Sequence, residues 1–285
     1  MSKLEDLIAK KTDLVNQSDD DFFKSIQDLL PDNKGKLKEY LDQFEYKNGK
    51  LVNSEFNRKK LIGLRKELLK ILESDYNINF TAYIKKFDDI SELNLGIQSA
   101  MGVTVSNLEI GFAKKIMTDL VADQLALDKA VDMAIRPGIQ QLLFKNVIGQ
   151  ANRKDTLEAL TQFISKDQGV AQWSKVIARN TLGMYDGMVQ QQLSTQYEYD
   201  GYFYTGSIIE TSRIQCVHWV NDRKGFITFE ELREDIPKYK NQSGYGSGLE
   251  LTMESFPVVR GGHNCRHTAT IASMPSYLKG KKQKQ

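Results

Sequence analysis

Hydrophobic residues recur every three or four positions through most of the first 196 residues, which is the spacing of one face of an α-helix. The clearest runs predict helices at residues 57–74 and 173–193. A shorter run follows Asp19-Asp20-Asp21, and we expect this acidic triplet to cap a helix that Pro31 ends. Further helices are predicted at residues 34–44 and 156–164, whereas residues 75–89 give no clear assignment.

A long helical pattern also covers residues 108–148, where Pro137-Gly138 either separates two helices or kinks one. From Tyr197 onward the pattern changes, because aromatic and β-branched residues at 202–205, 207–209 and 226–229 are typical of short strands. A short helix is predicted at 230–235, and residues 255–259 and 268–271 are expected to complete a small sheet.

These elements predict an α+β fold, mainly helical over the N-terminal two-thirds, with a small C-terminal α+β module that holds a Cys/His cluster. Along the chain we expect an N-terminal helical region at residues 1–90 and a helical body at 91–196. The α+β module then occupies residues 197–275, and a basic tail follows at 276–285.

The composition is that of an ordinary globular protein. The chain has 285 residues, of which 27% are charged and 40% hydrophobic, and its formal net charge is +2. This near-neutral balance argues against a dedicated nucleic-acid binder. The N-terminus lacks the apolar segment of a secretory signal, and no apolar run approaches the roughly 18 residues that span a bilayer. We therefore expect a soluble protein made in the cytoplasm, with no membrane partner.

Both cysteines and all three histidines lie in the C-terminal module, so the candidate metal ligands are Cys216, His218, His263, Cys265 and His267. Thiolate and imidazole are the ligands that zinc prefers, and a structural zinc takes four of them. Residues two apart on a strand share a face, which would align the ligands of each cluster. Gly261-Gly262 would supply the bend that lets the clusters approach.

The spacing leaves two other interpretations open, because it lacks the usual C-x-x-C knuckle of a zinc site. Cys216 and Cys265 could form a single disulfide once outside the reducing cell. Alternatively, the histidines serve as ordinary surface or hydrogen-bonded groups.

The same residues resemble the C-terminal part of a phage head-morphogenesis family, the Mu F-like minor head proteins, over about residues 170–272. That family has a helix with an Ala-Arg-Thr-like signature, then Thr/Ser-Arg-x-x-Cys, then a His-x-Asn-Cys-Arg-Cys-like ending. The matching segments here are Ile177-Ala178-Arg179-Asn180-Thr181, Thr211-Ser212-Arg213-Ile214-Gln215-Cys216 and His263-Asn264-Cys265-Arg266-His267. The chain departs from the pattern where His218 and His267 stand in or near the place of family cysteines. These changes preserve metal-ligand chemistry but forbid a second disulfide.

The resemblance implies a virion protein rather than an enzyme: a minor capsid protein in several copies per particle, at the portal vertex or in the head interior. It would contact the portal protein and the major capsid protein, and act in head assembly or in DNA packaging or ejection. The basic tail would touch packaged DNA. A structural zinc is the cofactor that the cluster suggests, and Arg179 is interpreted as a structural residue.

A metal-dependent hydrolase or nuclease is the alternative function for the same cluster. Such a site needs three protein ligands, an open coordination position and a general base. Asp222, Glu230 and Glu254 are close in sequence, but no H-E-x-x-H or paired-carboxylate arrangement frames them. The glycine-rich insert at 241–248 lacks the Lys-Ser/Thr of a phosphate-binding loop. The sequence therefore predicts no catalytic residues.

Overall fold

The structure is a computed structural model that describes residues 3–105, 107–166, 169–242, 245, 250–262, 265–276 and 279. This described part of the protein is 71% helical with two small sheets, and its small strand module lies at the C-terminal end. The predicted α+β class, with a Cys/His cluster in the C-terminal module, is therefore confirmed.

The helical part of the chain contains α1 (Lys3–Asp32), α2 (Lys34–Asp42), α3 (Glu55–Ala100), α4 (Asn107–Gln124), α5 (Leu127–Ala130), α6 (Arg136–Ile148), α7 (Arg153–Lys166) and α8 (Gly169–Gln196). A short hairpin, β1 (Tyr46–Lys47) and β2 (Lys50–Leu51), separates α2 from α3, and a π-helical turn at Val131–Ile135 joins α5 to α6. The C-terminal elements are β3 (Gly201–Thr205), α9 (Ile214–Val217), a π-helical turn (His218–Asp222), β4 (Phe226–Thr228), α10 (Phe229–Tyr239), α11 (Phe256–Val259) and β5 (Thr268–Ala272).

Three local predictions are wrong. Residues 207–209 are not a strand, because β3 ends at Thr205, the last residue that pairs with β5. The acidic triplet at residues 19–21 lies inside α1 rather than capping a helix, because the buried apolar stripe of this helix already begins at Ile8 and Val15. Residues 255–259 form a helical turn instead of a strand. Pro257 stands in its first turn, where the missing N–H costs nothing. Thr252 and Ser255 exchange hydrogen bonds between backbone N–H and hydroxyl just before it.

The chain divides into two compact units. The first comprises residues 1–18, 84–120 and 178–285, and the second comprises residues 19–83 and 121–177. Helices α1, α3, α4 and α8 each contribute residues to both units. The units therefore interleave along the sequence, whereas the predicted regions were consecutive.

The second unit is held by buried apolar residues of α3, among them Leu61, Leu64, Leu68 and Leu72. Arg65 on this helix binds Asp132 through two guanidinium nitrogens, at 2.8 Å from each of the two carboxylate oxygens. The β1–β2 hairpin turns at Asn48-Gly49, both of which have positive φ (52° and 75°), as its tight connection requires.

The first unit is built on a three-stranded antiparallel sheet in the order β4-β3-β5. The central strand β3 is buried from Gly201 to Tyr204, and Tyr202 pairs with Ile227 on one side and Ile271 on the other. A sheet this narrow exposes its central strand unless other elements cover it. In this unit α8 and α11 supply close contacts to the strand module.

A fully buried charged network joins the beginning of α1 to this module. The Lys11 ammonium lies 2.9 Å from Asp186 Oδ1 on α8 and donates to Asn94 Oδ1 on α3 at 3.2 Å. Gln190 donates to Asn94 and accepts from the backbone N–H of Ile271 on β5. Lys11 and Asp186 are 0% and 1% exposed as side chains, so each charge depends on the other for compensation. Burial lowers the pKa of Lys11, and the Asp186 carboxylate opposes that shift.

Close packing of α8 against α11 requires glycine at position 187. A Cβ atom added to Gly187 would lie 2.3 Å from the backbone oxygen of Pro257 and 2.5 Å from the Cα of Val258. Both are backbone atoms, which cannot move away without displacing α11.

Within the part of the chain that the structure describes, no helix combines the length and the apolarity that crossing a bilayer demands.

We expect Lys11→Met to lower the free energy of unfolding by about 3–5 kcal/mol, because it leaves the Asp186 carboxylate buried without a counter-charge. Lys10→Met is the matched control, since the Lys10 side chain is 63% exposed and pairs with Asp6 at the surface. Urea denaturation midpoints measure the difference. Equal midpoints for the two variants would show that the buried pair contributes nothing to the stability of the fold.

Gly187→Ala should destabilise the protein by about 1–3 kcal/mol, the cost typical of forcing extra volume into a packed interior. The control is Gly63→Ala within α3, where an added Cβ meets nothing within 4 Å. That change is expected to stabilise its helix by about 0.5–1 kcal/mol. Thermal unfolding of both variants tests the contrast, and a stabilised Gly187→Ala protein would contradict the predicted clash.

Candidate metal site

Three of the five predicted ligands form one buried group at the end of the central strand. Cys216 lies in α9, while Cys265 and His267 lie in the segment that leads into β5. The Sγ atoms of Cys216 and Cys265 are 3.9 Å apart, and Cys265 Sγ is 3.6 Å from His267 Nδ1. The possible ligand atoms of all three residues lie within 4.8 Å of one another. Such a group could bind a metal ion.

Local backbone features bring the two segments together. Helix α9 starts after Arg213, whose extended backbone conformation is that of an N-cap residue. Arg213 and Gln215 both donate side-chain hydrogen bonds to the carbonyl oxygen of Gly261, at 3.0 and 3.3 Å. A Cβ atom at position 261 would lie 2.2 Å from Cys216 Sγ and 2.9 Å from Cys265 Sγ. Only glycine therefore lets this loop lie against both sulfur atoms.

The side chain of Tyr204, on β3, contacts all three residues of the group. Its hydroxyl lies 3.3 Å from Cys216 Sγ and 3.5 Å from Cys265 Sγ, and its ring stacks on His267 at 5.1 Å between centroids. Burial raises the pKa of Tyr204 well above its ordinary value, and the neighbouring Cys265 adds to that shift. The phenol consequently stays protonated and is available to donate to a thiolate.

The two thiols differ in acidity because they share one buried site. The hydrogen bond from Cys216 lowers the pKa of Cys265, helped by His267 and by the positive charge of Arg260, although burial opposes the shift. The same hydrogen bond raises the pKa of Cys216, and burial acts in the same direction. Cys265 is therefore the first of the pair to ionise, and a bound cation would be needed to hold both as thiolates.

His218 lies outside this group. Its Nδ1 is 2.7 Å from Asp222 Oδ2 and its Nε2 is 3.1 Å from Asp235 Oδ2, so both ring nitrogens face carboxylates. The expectation that Cys216 and His218 share a face assumed an extended strand. Residues two apart in a helix point about 200° apart instead, and both residues are helical here.

The other predicted features have different outcomes. His263 lies outside the described residues, so its role remains a prediction. The pairing of Cys265 with His267 on one side of the chain agrees with the two-residue periodicity of extended backbone. Cys216 and Cys265 are close to each other, but both thiols are free.

Sequence reasoning missed Tyr204 and Arg260 as neighbours of the group. Tyr204 was recognised only as a strand residue, and nothing in its spacing connects it to cysteines 12 and 61 positions away. Arg260 has a positive φ of 48° and is only 4% exposed; its guanidinium donates to the carbonyl oxygen of Gly183 at 2.7 Å. In the sequence, Arg260 is marked only by its position directly before Gly261-Gly262.

Comparison of the chain with protein-family models, with curated proteins and with solved structures finds no match.

We expect the purified protein to retain about one equivalent of a zinc-like metal ion through desalting, and Cys265→Ser to lose it, because two thiolates are required to neutralise the ion. His218→Ala is the control. This variant should keep the metal ion, because His218 lies outside the three-residue group. Elemental analysis by mass spectrometry gives the stoichiometry. Equal loss in both variants would place His218 among the ligands and overturn the three-residue assignment.

Proposed function

We propose that this chain is a phage minor head protein that associates with the portal and acts in head assembly or in DNA packaging or ejection. The observation that carries the proposal is the convergence of the residues on which the family resemblance rests. Cys216, Cys265 and His267 come from two motifs about fifty residues apart in sequence, yet they form one buried group. If the two motifs serve one structural purpose, their residues must lie close together in the folded chain, as these three do.

A structural zinc ion is the cofactor that we propose for this group. Two sulfur ligands at 2.3 Å from a tetrahedral ion lie about 3.8 Å apart, and a sulfur and a nitrogen ligand lie about 3.6 Å apart. The corresponding separations in the structure are 3.9 and 3.6 Å. Two thiols and an imidazole also suit zinc chemically, and the missing side chain of Gly261 lets the loop lie against both sulfur atoms. The ion would tie α9 to the segment before β5.

A structural role agrees better than a catalytic one with the surroundings of Asp222, one of the three carboxylates that lie near the cluster in sequence. Asp222 binds the ring of His218 rather than the thiol–imidazole group. The second carboxylate on that ring, Asp235, also receives two hydrogen bonds from Arg223. Among the described residues, no carboxylate joins the three candidate ligands. We therefore propose that the protein is not an enzyme.

Exposed apolar side chains support a role in protein contacts. Phe144 and Ile148 are 54% and 53% exposed, and they lie one turn apart on α6 of the second unit. Residues four apart on a helix share a face, so they form one apolar surface. Exposed apolar side chains that lie together can form part of a partner-binding surface. The partners that we propose are the portal protein and the major capsid protein, with packaged DNA as a further contact of the basic tail.

Quantitative mass spectrometry of purified particles tests the proposal by counting this chain against the portal and major capsid proteins. We expect a low and fixed copy number that scales with the portal. A soluble protein in infected cells that is absent from particles would overturn the virion assignment.

Incorporation into particles should also fall when the apolar surface of α6 becomes charged. Phe144→Glu is expected to reduce the copy number several-fold, because a buried contact would then contain an unpaired carboxylate. Lys145→Glu changes the neighbouring exposed position and should leave incorporation unchanged. The same quantitative mass spectrometry compares the two, and equal copy numbers would exclude this surface from assembly.

A further inference from the structure

A groove of about 540 Å³ lies between one face of α1 and the end of β3, within the first unit. Its volume is in the range of about 300–1,000 Å³ that is typical of binding sites in proteins. Ile8 and Phe203 give the groove apolar surface, and the carboxylates of Glu5 and Asp13 stand on its α1 wall. Lys224 is the remaining charged residue among the described residues that line it. The groove is therefore partly apolar, with two negative charges and one positive charge.

The chain that follows β3, at residues 207–214, presents apolar side chains to solvent, and we call it the isoleucine turn. Ile208, Ile209 and Ile214 are 37%, 54% and 66% exposed. Two hydrogen bonds hold the turn: the backbone N–H of Ile209 donates to the Ser212 hydroxyl at 2.9 Å, and the N–H of Ser212 donates to the Ile209 carbonyl oxygen at 2.8 Å. Exposed apolar side chains that lie together can form part of a partner-binding surface.

The charged residues at the isoleucine turn have the opposite signs to those of the groove. Arg213 and Arg266 line a cavity together with Ile209, and Glu210 is an exposed residue of the turn itself. The turn and the adjoining Arg266 therefore present two positive charges and one negative charge. The groove presents two carboxylates and the ammonium group of Lys224. The two surfaces thus match in charge as well as in apolar character, which is the pattern of complementary protein interfaces.

The groove and the isoleucine turn adjoin each other, because Ser207 lines both the groove and the cavity beside the turn. Both surfaces belong to the first unit. A two-fold dimer uses the same patch on both copies, so that patch must be complementary to itself. Two adjoining surfaces of opposite charge, one a groove and the other an exposed apolar turn, meet this requirement when the axis passes near Ser207.

We propose that two copies of this chain form a two-fold dimer in which the isoleucine turn of each copy docks in the groove of the other. The isoleucines then cover the apolar surface at Phe203. Arg266 of each copy pairs with Asp13 of the other, since these are the exposed members of the two charged sets. The inference concerns a contact between copies, and it depends neither on the metal site nor on the virion assignment.

Sedimentation velocity of the full-length protein at concentrations of about 1–200 μM tests the proposal. We expect a reversible equilibrium between monomer and dimer. Arg266→Glu and Asp13→Arg should each weaken the dimer at least about ten-fold, because each variant places like charges opposite each other. The combined variant Arg266→Glu/Asp13→Arg again has opposite charges across the interface. Its dissociation constant should return to within about three-fold of that of the unmodified protein, as coupled positions allow.

Arg233→Glu is the matched control, because Arg233 is an exposed arginine on α10 that lines neither the groove nor the cavity beside the turn. This variant should dimerise as the unmodified protein does. A protein that stays monomeric up to about 200 μM would leave the groove to another occupant and overturn the proposal. Assembly only into species larger than a dimer would also overturn it. So would a single variant that dimerises normally, or a combined variant that remains as weak as the single ones.

Discussion

The Lys11–Asp186 ion pair is the contact on which the first unit depends most directly. Two buried charges are costly unless they are paired with each other and hydrogen-bonded to further groups. Asn94 and Gln190 extend the pair to the backbone of Ile271, so one network joins α1, α3, α8 and β5. The C-terminal strand module consequently includes a charge contributed by the eleventh residue of the chain. Among the described residues, Asp186 Oδ2 has no hydrogen-bond partner.

The same region also positions the candidate metal site. Next to Lys11, the hydroxyl of Thr12 lies 2.8 Å from the hydroxyls of both Thr205 and Thr268, which are 2.9 Å from each other. Thr205 ends the central strand and Thr268 begins β5, so this trio fixes where the two strands meet. His267 immediately precedes Thr268. The buried polar contacts of α1 therefore determine where the Cys265–His267 segment lies relative to Tyr204.

The environment of the cluster differs between its two sides. On one side the thiols contact Tyr204 and Gly261, which exclude solvent and leave no space for a side chain at position 261. On the other side they face a cavity lined by two arginines. A metal ion held there would contribute folding energy through its protein ligands.

Periodicity and residue chemistry identified several of the elements and three candidate ligands. Helical spacing was sufficient for α2, for the C-terminal part of α8 and for the helical character of residues 57–74, because an apolar stripe must be buried wherever it occurs. Cys216, Cys265 and His267 were identified from chemistry alone. Tertiary structure decided the rest. Whether residues 214–222 are helical or extended depends on packing, and that choice separates His218 from Cys216. Likewise, no local pattern encodes the contacts of Lys11 with Asp186 or of Tyr204 with the thiols, since each joins residues that are brought together only when the chain folds.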